Sequence, residues 1–352
     1  MKFQSWANLI GRLFFQARVK ASLRRRQMVR TRRMSRSQVA EALESRALLA
    51  VTTSVSGNQL QISLDAANDQ VWISYSSSSP TSEVGNLQVG TSSSNLTNKG
   101  TFGPTGTTAA QINSIMISDT SGSAGQQVFF AGSNPISGTG AFFTGLSSGV
   151  SITGVETINV RRLIRGGGAN PTPLPATVVG NASTVNLTYT TTGATATRLQ
   201  QAVDFAASGG AVSFVNAGQY NQSVTINKAL NLDGFGSTVP SATTGTRINV
   251  ASGTAITLGE NADGSTLREL RVSGSVVNNT VGVGLQAGAQ VDNLTLVRVA
   301  AASQGTGFLI PATAGAAGLT ITNSNFSNND RAIAALADTN ISTNESGLTG
   351  AS

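Results

Sequence analysis

A chain of 352 residues with no histidine and no cysteine has only carboxylates, arginine, lysine and tyrosine left for proton transfer. That removes Ser-His-Asp triads, thiol nucleophiles and the usual zinc, haem and iron–sulfur ligand sets. Acid–base work by paired carboxylates, or by a carboxylate beside an arginine, stays open. Such groups converge only if the fold brings them to one place, so the candidates depend on the pattern that carries them. By that test the residues to consider are Arg271, Asp292 and Arg298.

The pattern is a repeat. "STLRELRVSGSVVNNTVGVGL", "VDNLTLVRVAAASQGTGFLI" and "AGLTITNSNFSNNDRAIAAL" share a layout. Leu270, Leu294 and Leu319 are taken as equivalent, which makes both spacings about 25 residues, within the range of known repeat architectures. Val272, Leu296 and Ile321 then fall two positions on, and Phe308 and Ile333 fourteen positions after Leu294 and Leu319. Asn279, Ser303 and Asn328 each come nine positions after their leucine. Short period-2 strands repeating in the twenties, with stacked polar turns, are the signature of a β-solenoid.

On this alignment Asp263 lies seven before its leucine, Asp292 two before and Asp330 eleven after, while Arg271, Arg298 and Arg331 lie one, four and twelve after. No column holds two acids, and none pairs an acid with an arginine on adjacent coils. The expectation is solvated charge on turns and outer faces and no recognisable active site, with Arg271, Asp292 and Arg298 the nearest approach to one.

Before the repeats, Thr197-Arg198-Leu199-Gln200 fits a capping box. Leu199, Ala202, Val203 and Ala206 make one apolar face, and Gly209-Gly210 stop the helix. Gly209-Gly210-Ala211-Val212, Gly218-Gln219-Tyr220 with Val224 and Ile226, and Lys228-Ala229-Leu230-Asn231-Leu232 follow. This run resembles the opening of right-handed parallel β-helix proteins of the pectate-lyase type. The resemblance implies a short helix sealing the N-terminal end of the core. It also implies, as the alternative to a non-catalytic role, a polysaccharide lyase or hydrolase working with acids on neighbouring coils.

Upstream, alternating segments such as Leu60–Leu64, Val71–Tyr75 and Ile115–Ile117 read as strands between Ser/Gly-rich turns. "LDAANDQVWI" bears a faint resemblance to one rung of the Gly-Gly-x-Gly-x-Asp calcium β-roll, with Asp69 as the acid. Its glycines are alanines, and in the next candidate rung Gln127 stands where an acid belongs. Asp69 is therefore the single calcium candidate, and no other cofactor is indicated.

The charge is divided. Residues 1–50 hold twelve Lys/Arg and two Asp/Glu, leaving eleven and fourteen of the totals of 23 and 16 for the rest. The +7 therefore splits into +10 and −3. An arginine run invites a nucleic-acid reading, but the rest of the chain has few aromatics and no basic stripe, so nucleic acid is not expected as a partner. No apolar stretch approaches the roughly 18 residues of a transmembrane helix. Leu43-Glu44-Ser45-Arg46-Ala47-Leu48-Leu49 resembles the "LEPRxLL" leader of large secreted bacterial surface proteins, with Ser45 in place of the proline. The resemblance implies export.

The expected organisation is an all-β chain with four regions. They are a basic leader (1–50), removed on export or without fixed structure; a separate β region (51–160); a Gly/Pro/Thr-rich linker (161–194); and a right-handed parallel β-helix (195–352) with a short capping helix. The expected role is extracellular or at the cell surface: structural, adhesive or carbohydrate-binding, toward extracellular polysaccharide or surface components. The repeat fades after Leu336 with no cap, so the solenoid is expected to continue in further sequence or to pack on a partner.

Overall fold

The computed structural model describes residues 51–76, 85–102, 112–130, 146–161, 164–167, 174–189, 198–236, 244–336 and 341–343. Residues 1–50, expected as a leader, Thr197 of the expected capping box, and Pro171 and Pro173 lie outside them. The described residues form an all-β chain with one short helix, and about six solenoid turns lie within residues 127–335.

One sheet of twelve strands organises the molecule. Two strands at its N-terminal edge, Gly85–Ser92 and Asn95–Phe102, are antiparallel. The remaining strands run parallel from Gln70–Ser76 through Gln127–Phe130, Thr157–Val160, Ala182–Leu187 and Ala206–Phe214. They continue through Asn231–Asp233, Thr266–Arg268, Thr295–Val297 and Leu319–Thr322 to Ile341–Thr343. Strand alternation sends every second residue inward. The result is one inner column, Val71, Val128, Ile158, Val185, Val212, Leu232, Leu267, Leu296 and Ile321, with no member more than 1% exposed. No single coil could bury such a row alone, so stacking is what removes it from water.

This ladder crosses the interval that composition marks as a linker. Ala182–Leu187 pairs with Thr157–Val160 on one side and Ala206–Phe214 on the other, so the β region and the solenoid share one sheet. Of the glycines and prolines there, the described Gly166, Gly167 and Pro175 lie outside the long sheet, where its ladder needs no N–H from them. Leu174–Pro175, for example, makes only a two-residue antiparallel bridge with Arg165–Gly167.

The second wall of the solenoid changes along the axis. Toward the N-terminus it is the sheet of Gln59–Leu64, Ser114–Asp119, Gly149–Thr153 and Val178–Gly180, with Val51–Ser56 antiparallel at its edge. Toward the C-terminus a pair of five-stranded sheets replaces it. A first flank starts at Gly218–Tyr220 and includes Thr246–Asn249, Leu270–Ser273, Ala300–Ala302 and Asn325–Ser327. A second flank runs from Val224–Ile226 to Arg331–Ala335.

The helix, Arg198–Phe205, stands at this changeover and not at the end of the stack. Leu199, Ala202, Val203 and Phe205 are buried beneath it. Its polar residues replace missing strands. The Gln201 amide, 2% exposed, accepts from Ile164 N–H (3.0 Å) and donates to the carbonyls of Ile164 (2.6 Å) and Ala176 (3.1 Å). The neighbouring Gln200 amide accepts from Thr225 N–H (2.8 Å) and donates to Thr225 C=O (3.1 Å). Two adjacent side chains thus satisfy backbone groups on the coil before and the coil after. Gly209-Gly210 do not end the helix, which stops at Phe205; they form a bulge in the following strand, between the pairs Ala182↔Ala206 and Thr184↔Ala211.

Register corrects the repeat alignment. Leu296↔Ile321 and Phe308↔Ile333 are true partners. Leu270 and Val272, however, belong to the first flank, where Val272 faces Ala301 and then Phe326. The residue on the preceding coil that pairs with Leu296 is Leu267. Leu267 and Leu270 are both fully buried and sit either side of one corner, so sequence alone offers two leucines for one position.

Candidate functional site

With the register in place, the charges fall into columns that the leucine alignment scattered. Asp233 pairs with Arg268 on the next coil of the long sheet, and the guanidinium holds both carboxylate oxygens, Nε at 2.9 Å and Nη2 at 2.6 Å. One residue on, the corner column is Gly234, Glu269, Arg298 and Asn323. There the Arg298 guanidinium pairs with the Glu269 carboxylate. The expectation that no acid and arginine share a column on adjacent coils is therefore wrong at two places.

The corner shapes its residues. Glu269, Arg298 and Asn323 have φ of 56°, 53° and 51°. The left-handed conformation turns the chain from the long sheet onto the first flank, at a cost of about 1–2 kcal/mol per side-chain-bearing residue. At Gly234 a Cβ would stand 2.0 Å from the Glu269 carbonyl oxygen, so only glycine fits. A strained conformation occupied by a salt-bridged pair is a corner joint, and it consumes Arg298.

A second column holds two acids, again against expectation. Asp263 and Asp292 each lie four residues before partners Leu267 and Leu296. Asp263 Oδ1 accepts the Asp292 N–H at 2.8 Å, so one carboxylate is engaged by backbone while Asp292 is exposed. Asp292 and Arg298 sit at opposite ends of the strand Thr295–Val297, and neither of the two ion pairs among the described residues includes Asp292. Arg271 lies on the outer side of the first flank beside Arg247. Burial, and then the like charge of Arg247, lower its pKa. The three acid–base candidates are thus in different settings: Arg298 bound to Glu269, Arg271 beside another cation, Asp292 exposed at the end of the short strand Gln290–Asp292.

The groups with displaced protonation lie at the helix instead. Burial raises the Asp204 carboxyl above its ordinary pKa, against the opposing pull of the Gln200 amide (2.8 Å) and the Lys228 charge. Burial lowers Lys228, against the pull of Asp204. Lys228 donates to the carbonyls of Ala206 (2.7 Å) and Asp204 (3.5 Å), capping the C-terminal end of the helix from the next coil. The lysine of the Lys-x-Leu-x-Leu run is therefore a helix cap, a role its spacing in the sequence did not disclose.

Asp69 is fully buried at the corner between Gln59–Leu64 and Gln70–Ser76. Its Oδ2 accepts the N–H groups of Asp65 (3.0 Å) and Ala66 (2.9 Å), closing that turn. Its partner on the next coil is Gln126, not Gln127, since Gln127 pairs with Gln70. Among the described residues no three acids come together as a metal group, and no helix is long and apolar enough to cross a membrane.

No family model matches the chain, and no curated protein or solved structure matches it. The fold stands on the ladder itself, a parallel β-solenoid in which two coil-to-coil ion pairs, Arg268–Asp233 and Arg298–Glu269, occur among the described residues.

Proposed function

We propose that this is an exported extracellular or cell-surface β-solenoid with an adhesive, carbohydrate-binding role and no active site. The observation that carries the reading is the outer face of the long sheet. Its outward column includes Thr157 and Thr184 and, beyond Ala211, the four consecutive members Asn231, Thr266, Thr295 and Thr320. In the next outward column Asn186 donates to Asn159 (3.0 Å), and Asp233 and Arg268 neutralise each other. Hydroxyls and amides at the coil spacing of about 4.8 Å offer a rigid row of neutral hydrogen-bonding groups. Hydroxyl-rich polymers are the surface such a row complements. Export is inferred from the leader, and carbohydrate from this face.

The test is affinity electrophoresis of the full chain through neutral and acidic polysaccharides. Retardation is expected with no release of reducing ends, and Thr295→Arg with Thr320→Arg should abolish it. Unretarded migration in every polysaccharide would sink the proposal. A lyase or hydrolase reading has one observation behind it, the shared column of Asp263 and Asp292. It predicts unsaturated or reducing products that disappear in Asp292→Ala.

A further inference from the structure

We infer that a pyranose ring docks against Trp72, in a slot floored by Gly90. The site rests on the carbohydrate reading above and extends it to the N-terminal end of the same face. Val71 and Ile73 are fully buried, so Trp72 between them points outward, and Val128 and Phe130 set Phe129 outward in the same way. The two rings are register partners and half-buried, with centroids 4.1 Å apart and planes within 3° of each other. Planes so nearly parallel, on adjacent strands, stand across the strand-to-strand direction and cover one face of each ring. The other face of the indole is turned toward the strand on its far side, Gly85–Ser92.

Opposite Trp72 on that strand is Gly90, and opposite Gly90 on the edge strand is Leu96. Trp72 and Leu96 are thus roughly 10 Å apart across a position with no side chain. The position stays open, because a Cβ on Gly90 would stand 1.7 Å from the Asn95 carbonyl oxygen. Polar groups frame the gap. Gln70 lies two residues from Trp72, and Gln88 two residues from Gly90, on the same face. Beyond Phe129 the column continues as the Asn159 and Asn186 amides. Arg161, which follows the strand Thr157–Val160, sets its guanidinium 5.5 Å from the indole centroid, a cation–π contact that holds the ring. An aromatic face with amides at its margin has the chemistry that recognises a sugar. The C–H face of a pyranose packs on the electron-rich indole, and its hydroxyls reach the amides. A continuous C–H face is a property of β-gluco and β-galacto pyranosides, which are the class the slot takes.

Trp6→Phe in the full chain leaves Trp72 as its sole tryptophan. Its emission is expected to shift and saturate with millimolar methyl β-galactopyranoside or methyl β-glucopyranoside. Sorbitol, which has the hydroxyls without the ring face, should leave it unchanged. In affinity electrophoresis through galactomannan and mixed-linkage β-glucan, Trp72→Thr should weaken retardation about tenfold, and Trp72→Tyr by about threefold or less. A cooperative urea transition qualifies each variant for the comparison, and the emission titration needs neither. Emission indifferent to both glycosides overturns the inference. So does retardation that Trp72→Thr leaves unchanged, which marks the two rings as cross-strand packing alone. A parent chain that no polysaccharide retards overturns the carbohydrate reading and this site together; retardation with an indifferent Trp72 overturns the site alone.

Discussion

Gln201 and Gln200 are consecutive, chemically identical and both bonded to backbone on a neighbouring coil, but they differ in access to water. Gln201→Leu fills the same volume with an apolar group and removes the partners of Ile164 N–H and Ala176 C=O inside the core. The Ile164 carbonyl keeps its bond from Ala176 N–H (2.9 Å), so two groups are left unsatisfied and not three. At about 1–3 kcal/mol for each stranded buried group, the loss is about 2–6 kcal/mol. Gln200→Ala frees both backbone groups of Thr225 and one oxygen of Asp204, but Thr225 is exposed and Asp204 only half-buried, so water takes over and the cost stays at about 1 kcal/mol. Urea denaturation of both variants beside the parent measures the difference through the midpoint and slope. Equal losses for the two variants, or a Gln201→Leu loss below about 0.5 kcal/mol, would refute the assignment of these amides as strand substitutes.

Asp204→Asn should stabilise the protein at neutral pH, because burial raises the Asp204 pKa in the folded state. The parent's relative stability is full below the unfolded carboxylate pKa and declines as pH rises through the folded value, so the gap between parent and variant closes on acidification. Thermal melts across the acidic range check the sign. Lys228→Met keeps the apolar stem but strips the cap from the Ala206 and Asp204 carbonyls, with an expected loss of about 1–2 kcal/mol by denaturant titration. At the exposed left-handed corner, Asn323→Gly should be neutral to stabilising, while Asn323→Val should cost about 1–2 kcal/mol; the same titration separates them.

How far the sequence discloses this fold depends on how evenly its coils are cut. The step from Leu296 to Ile321 equals the step from Leu294 to Leu319, the turns match, and the alignment of that pair of leucines is correct. One coil earlier, the interval from Leu267 to Leu296 is longer. The exposed Val276 and Val277 lie within that longer coil, and there Leu270 displaces Leu267 in any simple count. That slip of one corner separated Glu269 from Arg298 and Asp263 from Asp292. Further upstream the inner column passes from Val71 directly to Val128, about twice the usual later step, and the steps on to Ile158 and Val185 are unequal, so no period announces it. The local alternation of those strands was legible, but their membership in one sheet with the repeats was not. Asp69 was legible as a turn acid. Its stacking on Gln126 required the register, because the neighbouring Gln127 looks equivalent on paper.

The unevenness of the coils carries a mechanical consequence. Every step of the long sheet advances the axis by about 4.8 Å. That holds whether the chain spends little on the step, as from Val212 to Leu232, or much more, as from Leu232 to Leu267. Nine such steps separate Gln70–Ser76 from Ile341–Thr343, about 43 Å of hydrogen-bonded strut. Insertions in the connections widen the strut without lengthening it. The sheet is therefore a ruler graduated in strands, able to hold whatever is attached near its two ends at a set separation.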